Sequence, residues 1–367
     1  MRNFTLAMCA ACVIALTSCS MNNGSSTSSL PYGLGQTAAG LHHGIGWTPI
    51  NSAGMKPPKA HLVRQVRPPQ RMQRGGNYAS EFRSSVGVFG YSPKPNKDND
   101  PPVCSPPGSR YNVNGIAADT RGNLIVPGSS KPGGDAGTWF VSVYQGAAQP
   151  MICGALLGAI PVTTGQPVDA AAINAATGSI AVSEINFTTK EGEIVICTLA
   201  TMSCGAPITN PDIRGYSAGV AMDASGNCWL STARKVTNGI PAGFRLIYWP
   251  GCTGSGMVAT GTKQGSYGGL FIDKAGNLGA FDAFNSKLHV YSGCNPACHE
   301  VGVFKLAGQS FYGNLNGAGG QLTVGDVSNG SVDVYRYDLS NFMLRFSFNN
   351  GLNRSRIVES GIVSPSL

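Results

Sequence analysis

The stretch GVAMDASGNCWL, at positions 219–230, predicts a strand, a tight turn and a second strand. Small and apolar residues come first, and the turn follows at Asp223-Ala-Ser-Gly-Asn227. An Asp at the start of such a turn accepts hydrogen bonds from the backbone that follows it, and the Gly adopts a positive φ at little cost. A calcium loop is the alternative, but the stretch offers too few further oxygen ligands. We therefore interpret it as the first hairpin of a repeated unit.

Variants of this hairpin recur along the chain, which predicts a repeat protein. They are GIAADTRGNLIV (115–126), AAAINAATGSIAV (170–182), GLFIDKAGNLGA (269–280) and YGNLNGAGGQLTV (312–324). Six short runs that contain an aromatic residue or end in Cys alternate with these hairpins along the chain. They are VGVFGY (86–91), FVSVY (140–144), EIVIC (193–197), RLIYW (245–249), KLHVY (287–291) and VDVY (332–335). We interpret each run as the third strand of a four-stranded sheet, followed by a fourth, outer strand.

Together these patterns predict an all-β fold, a six-bladed β-propeller of four-stranded blades over residues 81–367. The run at 86–91 has no hairpin before it, and residues 355–367 resemble inner strands with no outer strands after them. We expect the N- and C-terminal strands to pair and close the ring, which leaves no free sheet edge at the closure. The 50 Gly and 23 Pro residues agree with many short strands joined by turns.

The N-terminal segment predicts an exported protein. Residues 1–18 have a short basic start and an apolar run, as in a secretory signal peptide. The ending Leu16-Thr17-Ser18-Cys19 resembles the lipobox of bacterial lipoproteins, and this resemblance implies that Cys19 is diacylated and becomes the first residue of the mature chain. The alternative is an ordinary signal peptide with an incidental Cys19. The resemblance implies a protein anchored to the membrane by its lipid, with the outer membrane favoured and its periplasmic or surface face left open.

The charge of the chain lies mostly outside the predicted propeller. Residues 19–80 form a flexible, basic tether rich in Pro, Gly and Ser. Residues 1–80 carry seven of the cations behind the net charge of +8 and no acidic residue, so the propeller is close to neutral. This distribution argues against a nucleic-acid partner, which would require the basic residues on the folded domain.

The cysteines that follow Cys19 are eight, an even number that favours disulfides in an exported chain. Two pairs are predicted across hairpins between third and fourth strands, and a third pair joins a second strand to the end of the adjacent third strand. These pairs are Cys197–Cys204, Cys294–Cys298 and Cys228–Cys252, and the pairing of Cys104 and Cys153 is left open.

The phrase GIAADTRGNLIV resembles the six-bladed propellers of the NHL and gluconolactonase-like superfamily. The position six residues after each turn Gly falls where the second strand meets its loop, and equivalent positions of the blades converge around the axis, so we expect acids there to face a shared cavity. The enzymes of this superfamily use an acidic, metal-binding top face, and the resemblance implies counterparts in this register. That register contains Gly128, Glu184, Thr232, Asp282 and Asp326. Glu184, Asp282 and Asp326 are therefore candidate ligands for a divalent cation, Ca²⁺ or Mg²⁺, with solvated loop residues as the alternative. Streptogramin lyases of similar shape need a catalytic His, but His289 and His299 fall on or beside outer strands.

Aromatic residues precede three of the inner strands on the same face as these acids. They are Tyr216, Tyr267, Phe311 and Tyr312. Such residues either stack on a sugar or peptide or pack between blades. We expect a binding or scaffold module for an envelope protein or polysaccharide, more readily than an enzyme. The alternatives are a metal-dependent hydrolase of the lactonase type and a purely structural envelope protein, and the fold does not choose among them.

Overall fold

The computed structural model describes residues 78–82, 85–89, 115–119, 123–131, 137–145, 155–170, 178–213, 215, 217–237, 240–315, 319–348 and 361–363. Of residues 78–82, 85–89, 236–237, 240–242 and 361–363 only the backbone is described. Cys19, Cys104, Cys153 and Tyr216 lie outside the described residues, as does the signal segment. The described part contains no helix with the length and apolar character needed to cross a membrane.

Twenty of the described strands form five antiparallel sheets of four strands each, which we call blades 1 to 5. After β1 (Tyr78–Phe82) and β2 (Ser85–Phe89), blade 1 contains β3 (Ala117–Ala118), β4 (Leu124–Ser129), β5 (Trp139–Tyr144) and β6 (Leu156–Pro161). Blade 2 contains β7 (Gly165–Ala170), β8 (Ser179–Asn186), β9 (Gly192–Thr198) and β10 (Ser203–Cys204). Blade 3 begins with β11 (Ser217–Met222) and β12 (Cys228–Thr232), and a separate hairpin of β13 (Lys235–Thr237) and β14 (Ile240–Ala242) follows.

Blade 3 is completed by β15 (Arg245–Trp249) and β16 (Met257–Val258). Blade 4 contains β17 (Leu270–Ile272), β18 (Leu278–Asp282), β19 (Lys287–Ser292) and β20 (His299–Lys305). Blade 5 contains β21 (Gly313–Leu315), β22 (Gln321–Asp326), β23 (Ser331–Arg336) and β24 (Met343–Phe348), and β25 (Gly361–Val363) is the last strand. Short 3-10 turns at Pro250–Cys252 and Ala283–Asn285 follow β15 and β18.

The predicted count of six four-stranded blades is wrong, because the described strands make five. The sixth run, at 86–91, falls in β2, which pairs only with β1 among the described strands. β1 also pairs with β25. The first two described strands and the last one therefore form a sheet of three strands, in the order β2-β1-β25. A short run marks a strand but does not determine how many strands pair with it.

The innermost strands follow one another around a ring. β7 contacts β4 and β11, β11 contacts β17, and β17 contacts β21. β25 contacts both β21 and β3, so the three-stranded sheet lies between blade 5 and blade 1. The antiparallel order within each blade places the turns between first and second strands on one face, which we call the turn face. The connections between second and third strands lie on the opposite face, which we call the loop face.

The core lies between neighbouring blades, because the inner strands of each blade are buried on both surfaces. Successive side chains of a strand point to opposite sides of the sheet. In β12, Trp229 packs with blade 4 residues, whereas Leu230 packs with blade 2 residues such as Ile194. The strand sequences CWLST and RLIYW are therefore nearly continuous apolar runs, as expected for strands that are covered on both surfaces.

The turn chemistry predicted from the opening stretch is confirmed. The Asp223 Oδ1 atom accepts hydrogen bonds from the backbone N–H groups of Ser225 and Asn227, both at 2.9 Å. Its Oδ2 atom accepts a third from the Asn227 side chain at 2.8 Å, and Gly226 has a φ of 85°. Asp273 makes the same three contacts in blade 4. The carboxylate thus holds the turn closed.

The three predicted cysteine pairs are joined in the structure, and all three lie on the turn face. They are Cys197–Cys204, Cys228–Cys252 and Cys294–Cys298, with Cα–Cα distances of 3.9, 5.1 and 4.1 Å. Two of them close hairpins between third and fourth strands, at the outer edges of blades 2 and 4.

Candidate functional site

The acids of the predicted register all lie on the loop face, and all are buried. Glu184 and Asp326 are 0% exposed and Asp282 is 3% exposed. They are therefore not solvated loop residues. Each one faces a second ionisable group on the third strand of its own blade, and these partners are Glu193, His289 and Asp333.

In blade 2, Glu184 is paired across the strands with another buried acid, Glu193. Glu184 Oε1 accepts a hydrogen bond from the Thr164 hydroxyl at 2.5 Å, whereas Oε2 has no donor among the described residues. Burial, and then the neighbouring Glu193, raise the pKa of Glu184 to about 9. Because two like charges this close in a buried site do not both ionise, Glu184 carries a proton at neutral pH.

In blade 5, Asp326 is enclosed by its own loop. Its oxygens accept hydrogen bonds from the backbone of Ser328 and Asn329 and from the Asn329 side chain, at 2.9, 3.1 and 2.7 Å. A Cβ at Gly308 would lie 2.2 Å from Oδ1, so the chain that leads into β21 passes directly over the carboxylate. Burial, with the nearby Asp326 charge, raises the pKa of Asp333 to about 6.

In blade 4, Asp282 accepts hydrogen bonds from the Gly265 N–H and the Ser266 hydroxyl, at 2.9 and 2.5 Å, and two more from the Asn285 side chain. Burial opposes ionisation of Asp282, but His289 and these donors outweigh it and lower the pKa of Asp282 to about 2. Asp282 is therefore a fixed negative charge inside the blade.

The three carboxylates do not form one metal site. Among the described residues, no group of three or more His, Cys, Asp or Glu side chains is arranged to hold a metal ion. The prediction that blade symmetry would bring Glu184, Asp282 and Asp326 to a shared central site assumed that their side chains point to the axis. They point instead to donors in their own blades, which satisfy most of their oxygens.

The same blade contains a chain of charges that the sequence interpretation missed. His289 Nδ1 lies 2.9 Å from Glu300 Oε2, and His289 Nε2 lies 3.7 Å from Asp282 Oδ2. Glu300 Oε1 in turn contacts the ammonium group of Lys263 at 3.1 Å. Burial lowers the pKa of His289, but the two carboxylates more than offset it and the net pKa is raised. His289 lies on β19, beside the outer strand β20 as predicted, and it is 6% exposed.

The predicted recognition aromatics pack inside the protein. Tyr267, Phe311 and Tyr312 are all at most 2% exposed. The Tyr312 hydroxyl donates a hydrogen bond of 2.9 Å to the backbone oxygen of Ala218 in blade 3. The backbone N–H of Gly269 donates a hydrogen bond of 2.6 Å to the backbone oxygen of Phe311. Of the two alternatives left open by the sequence, packing between blades describes these three residues, and Tyr216 lies outside the described part.

An open groove of about 460 Å³ lies on the turn face, between blades 4 and 5. Its walls are the blade 4 turn, the blade 5 turn and the hairpin that follows β23, with Asp273, Lys274, Ala275, Asn277, Gly319, Gly320, Arg336, Tyr337, Asp338 and Leu339 as lining residues. The sequence interpretation used Asp273 and Asn277 only as turn residues. The signal that could have indicated the groove is Lys274 within the turn phrase, at a position where the other four phrases have Thr, Ala or Gly.

The groove has a fixed floor and a charged rim. The Tyr337 hydroxyl donates a hydrogen bond of 3.0 Å to Asp273 Oδ2, which fixes the floor. Arg336 pairs with Asp338 at 3.0 Å on the rim. A Cβ at Gly319 would lie 3.1 Å from Lys274 Cγ and Cδ, so the Lys stem lies against that backbone. The Lys274 side chain is exposed, and no ion pair to it occurs within the described residues.

Comparisons with known proteins add little about the site. No protein-family model matches the chain, and no curated protein matches it. Among solved structures, the chain is similar to one described as the Dos1 propeller, with 13% sequence identity, a TM-score of 0.42, and coverage of 77% of this chain and 68% of that chain. The blades are therefore assigned from the strand pairings given above. Membership of the NHL and gluconolactonase-like superfamily stays a prediction.

Proposed function

We propose that the protein is a lipid-anchored binding module of the bacterial cell envelope. It holds a protein partner on the turn face, in the groove between blades 4 and 5. The observation that carries this proposal is the groove itself, which combines a hydrogen-bonded floor with an exposed cation at Lys274 and an exposed apolar side chain at Leu339. The resemblance of Leu16-Thr17-Ser18-Cys19 to a lipobox supports the anchor. The anchor and the groove are separable parts of the proposal.

The lining of the groove favours a protein over a polysaccharide. Tyr337 is its one described aromatic residue, and it is 8% exposed with its ring packed edge-on against Phe271. No ring face is therefore offered for stacking on a sugar. Arg is instead enriched at protein interfaces, and Arg336 lines this groove together with the exposed Leu339. The free ammonium group of Lys274 favours an acidic residue in the partner.

Site-specific photo-crosslinking in intact bacterial cells tests whether the groove binds a partner. A photoreactive amino acid at Leu339 is expected to give a discrete cross-linked product, and Lys274→Glu is expected to remove that product. The matched control is the same amino acid at Leu157, which is exposed to a similar degree, 48% against 38%, but lies on the outer strand of blade 1.

Equal products from both positions, or none from Leu339, would contradict the groove as the binding site. A product that resists protease and is sensitive to glycosidases would replace the protein partner with a polysaccharide.

A further inference from the structure

The outer strand of blade 4 has little apolar burial to hold it in place. β20 pairs with β19 and with no other described strand. Val301 and Val303 are exposed at 46% and 44%. On the other surface of the strand, Phe304 stacks on Phe342 of blade 5 at 4.5 Å between ring centroids. Polar contacts therefore account for a larger share of its attachment than in an inner strand.

Besides its backbone ladder to β19, β20 is attached through the side chain of Glu300, which contacts His289. Glu300 lies between the imidazole of His289 and the ammonium group of Lys263, which belongs to the connection from blade 3. The backbone N–H of Lys263 donates to the Tyr291 hydroxyl at 3.0 Å, and that hydroxyl donates to Gln264 Oε1 at 2.8 Å. Tyr291 also stacks parallel to the His289 ring, at 6.1 Å. The imidazole thus joins β18, β20 and the blade 3–4 connection at one point.

The protonation state of His289 decides whether the negative charges of Asp282 and Glu300 are compensated. The groups that face it are Asp282 from β18, Glu300 from β20 and Tyr291 from β19, with Lys263 beyond Glu300. A protonated imidazole lies between two carboxylates and compensates their charge. A neutral imidazole leaves both carboxylates in a largely buried site, with Lys263 alone to pair with Glu300. Loss of the positive charge therefore weakens the attachment of Glu300, whose remaining partner Lys263 is largely exposed.

We propose that His289 is a proton-controlled latch, which in its charged form holds outer strand β20 and the blade 3–4 connection against blade 4. When the proton leaves, β20 separates from β19 more often on the side away from the Cys294–Cys298 disulfide, while the inner strands stay in place. The latch does not rest on the proposed partner, although β20 lies beside one wall of the groove, since a Cβ at Gly302 would lie 3.9 Å from Leu339 Cδ2. Asp282 takes part as a fixed charge, and its oxygens are occupied by protein donors.

The direction of the pH dependence follows from proton linkage. A His whose pKa is higher in the folded state than in the unfolded state contributes stability in full below the unfolded value of about 6.5, and loses it as pH rises through the folded value. Each unit of difference between the two values corresponds to about tenfold in the opening equilibrium of the hairpin. The strand is therefore expected to be held at mildly acidic pH and released at alkaline pH.

Hydrogen exchange on the full-length protein tests the latch. Protection of the amides of 299–305, corrected for the intrinsic effect of pH, is expected to fall between pH 5.5 and pH 8.5, by about tenfold for each unit by which the folded pKa of His289 exceeds the unfolded value. In His289→Gln, protection is expected to be low and constant over that range. His299→Gln is the matched control, because His299 is exposed on the same strand, and it is expected to follow the wild type.

Constant protection in the wild type, or the same loss in both variants, would overturn the proposal. Direct titration of the wild-type imidazole by NMR removes any dependence on how the variants fold. A His289 midpoint above about 6.5 supports the latch, and a midpoint at or below that value refutes it. Glu300→Gln is expected to lower that midpoint, since it removes one of the two facing carboxylates.

Discussion

The buried pair of acids in blade 2 gives the sharpest test of the electrostatics described above. Glu184 is fully buried beside Glu193, and its pKa is raised to about 9. In the unfolded chain a Glu titrates near about 4.3, so between that pH and about 9 the folded state binds one more proton than the unfolded state. The free energy of unfolding must therefore fall as pH rises through this range.

The size of the effect follows from the same linkage. At pH 7 the chain lies about 2.7 pH units above the unfolded pKa, and each unit is worth about 1.4 kcal/mol, so the loss amounts to roughly 3–4 kcal/mol. The substitution Glu184→Gln removes this loss of stability, because the Gln side chain does not ionise. Its amide oxygen still accepts the hydrogen bond that the Thr164 hydroxyl donates to Oε1 in the wild type. We expect the variant to be more stable than the wild type at pH 7, and the two to converge near pH 4.5.

Urea unfolding at a series of pH values, followed by fluorescence of the buried Trp139 and Trp249 with the disulfides kept oxidised, measures this difference. Glu191→Gln is the matched control, since Glu191 is exposed in the connection between β8 and β9, and its pH profile is expected to follow the wild type. A Glu184→Gln variant that loses stability at pH 7, or that keeps the wild-type slope, would show that Glu184 is ionised in the folded protein. The reasoning about the pair would then be wrong.

Two further predictions concern the ring and the anchor. Gly115→Ala is expected to destabilise the fold by about 1–3 kcal/mol, because a Cβ there would lie 1.8 Å from Asp169 Oδ1. Gly320→Ala, where a Cβ meets nothing within 4 Å, should shift the urea midpoint little. Cys19→Ser is expected to abolish incorporation of radiolabelled palmitate and to release the protein from the membrane fraction; label retained by the variant would exclude Cys19 as the lipid site.

The repeated hairpin made the blades predictable. Asp223 and Gly226 determine the turn through contacts that stay within five residues. The same motif therefore gives the same turn in another blade, as at Asp273. Apolar runs such as RLIYW mark strands buried on both surfaces. The cysteine pairs followed, since their positions relative to hairpin ends were already fixed by the strand assignments.

The wrong blade count and the separation of the three candidate acids have a common reason. A run of residues indicates a strand but not its neighbours, so the run at 86–91 was counted as the core of a four-stranded blade, although β2 has one described partner. A shared register likewise indicates where an acid lies along its strand but not what its carboxylate reaches. Asp326, for example, is bound by donors two and three residues further along.

For His289, the strand could be predicted from the sequence but the groups that contact the imidazole could not. The run KLHVY correctly predicted β19, but nothing in it says that the imidazole faces Asp282 and Glu300. The acid in β18 and the acid in β20 come to the His only when the three strands pair, with Asp282 and Glu300 on either side of β19.

The sequence by itself determined the local features of this protein: its turns, its strands and the cysteine pairs. These depend on contacts within a hairpin and on apolar runs along a strand, both of which follow from the order of the residues. Only the tertiary structure decided the number of blades, the partners of the buried acids, and the groove between blades 4 and 5. These depend on which strands lie side by side, and burial makes the energy of a charge depend on neighbours that are distant in the chain.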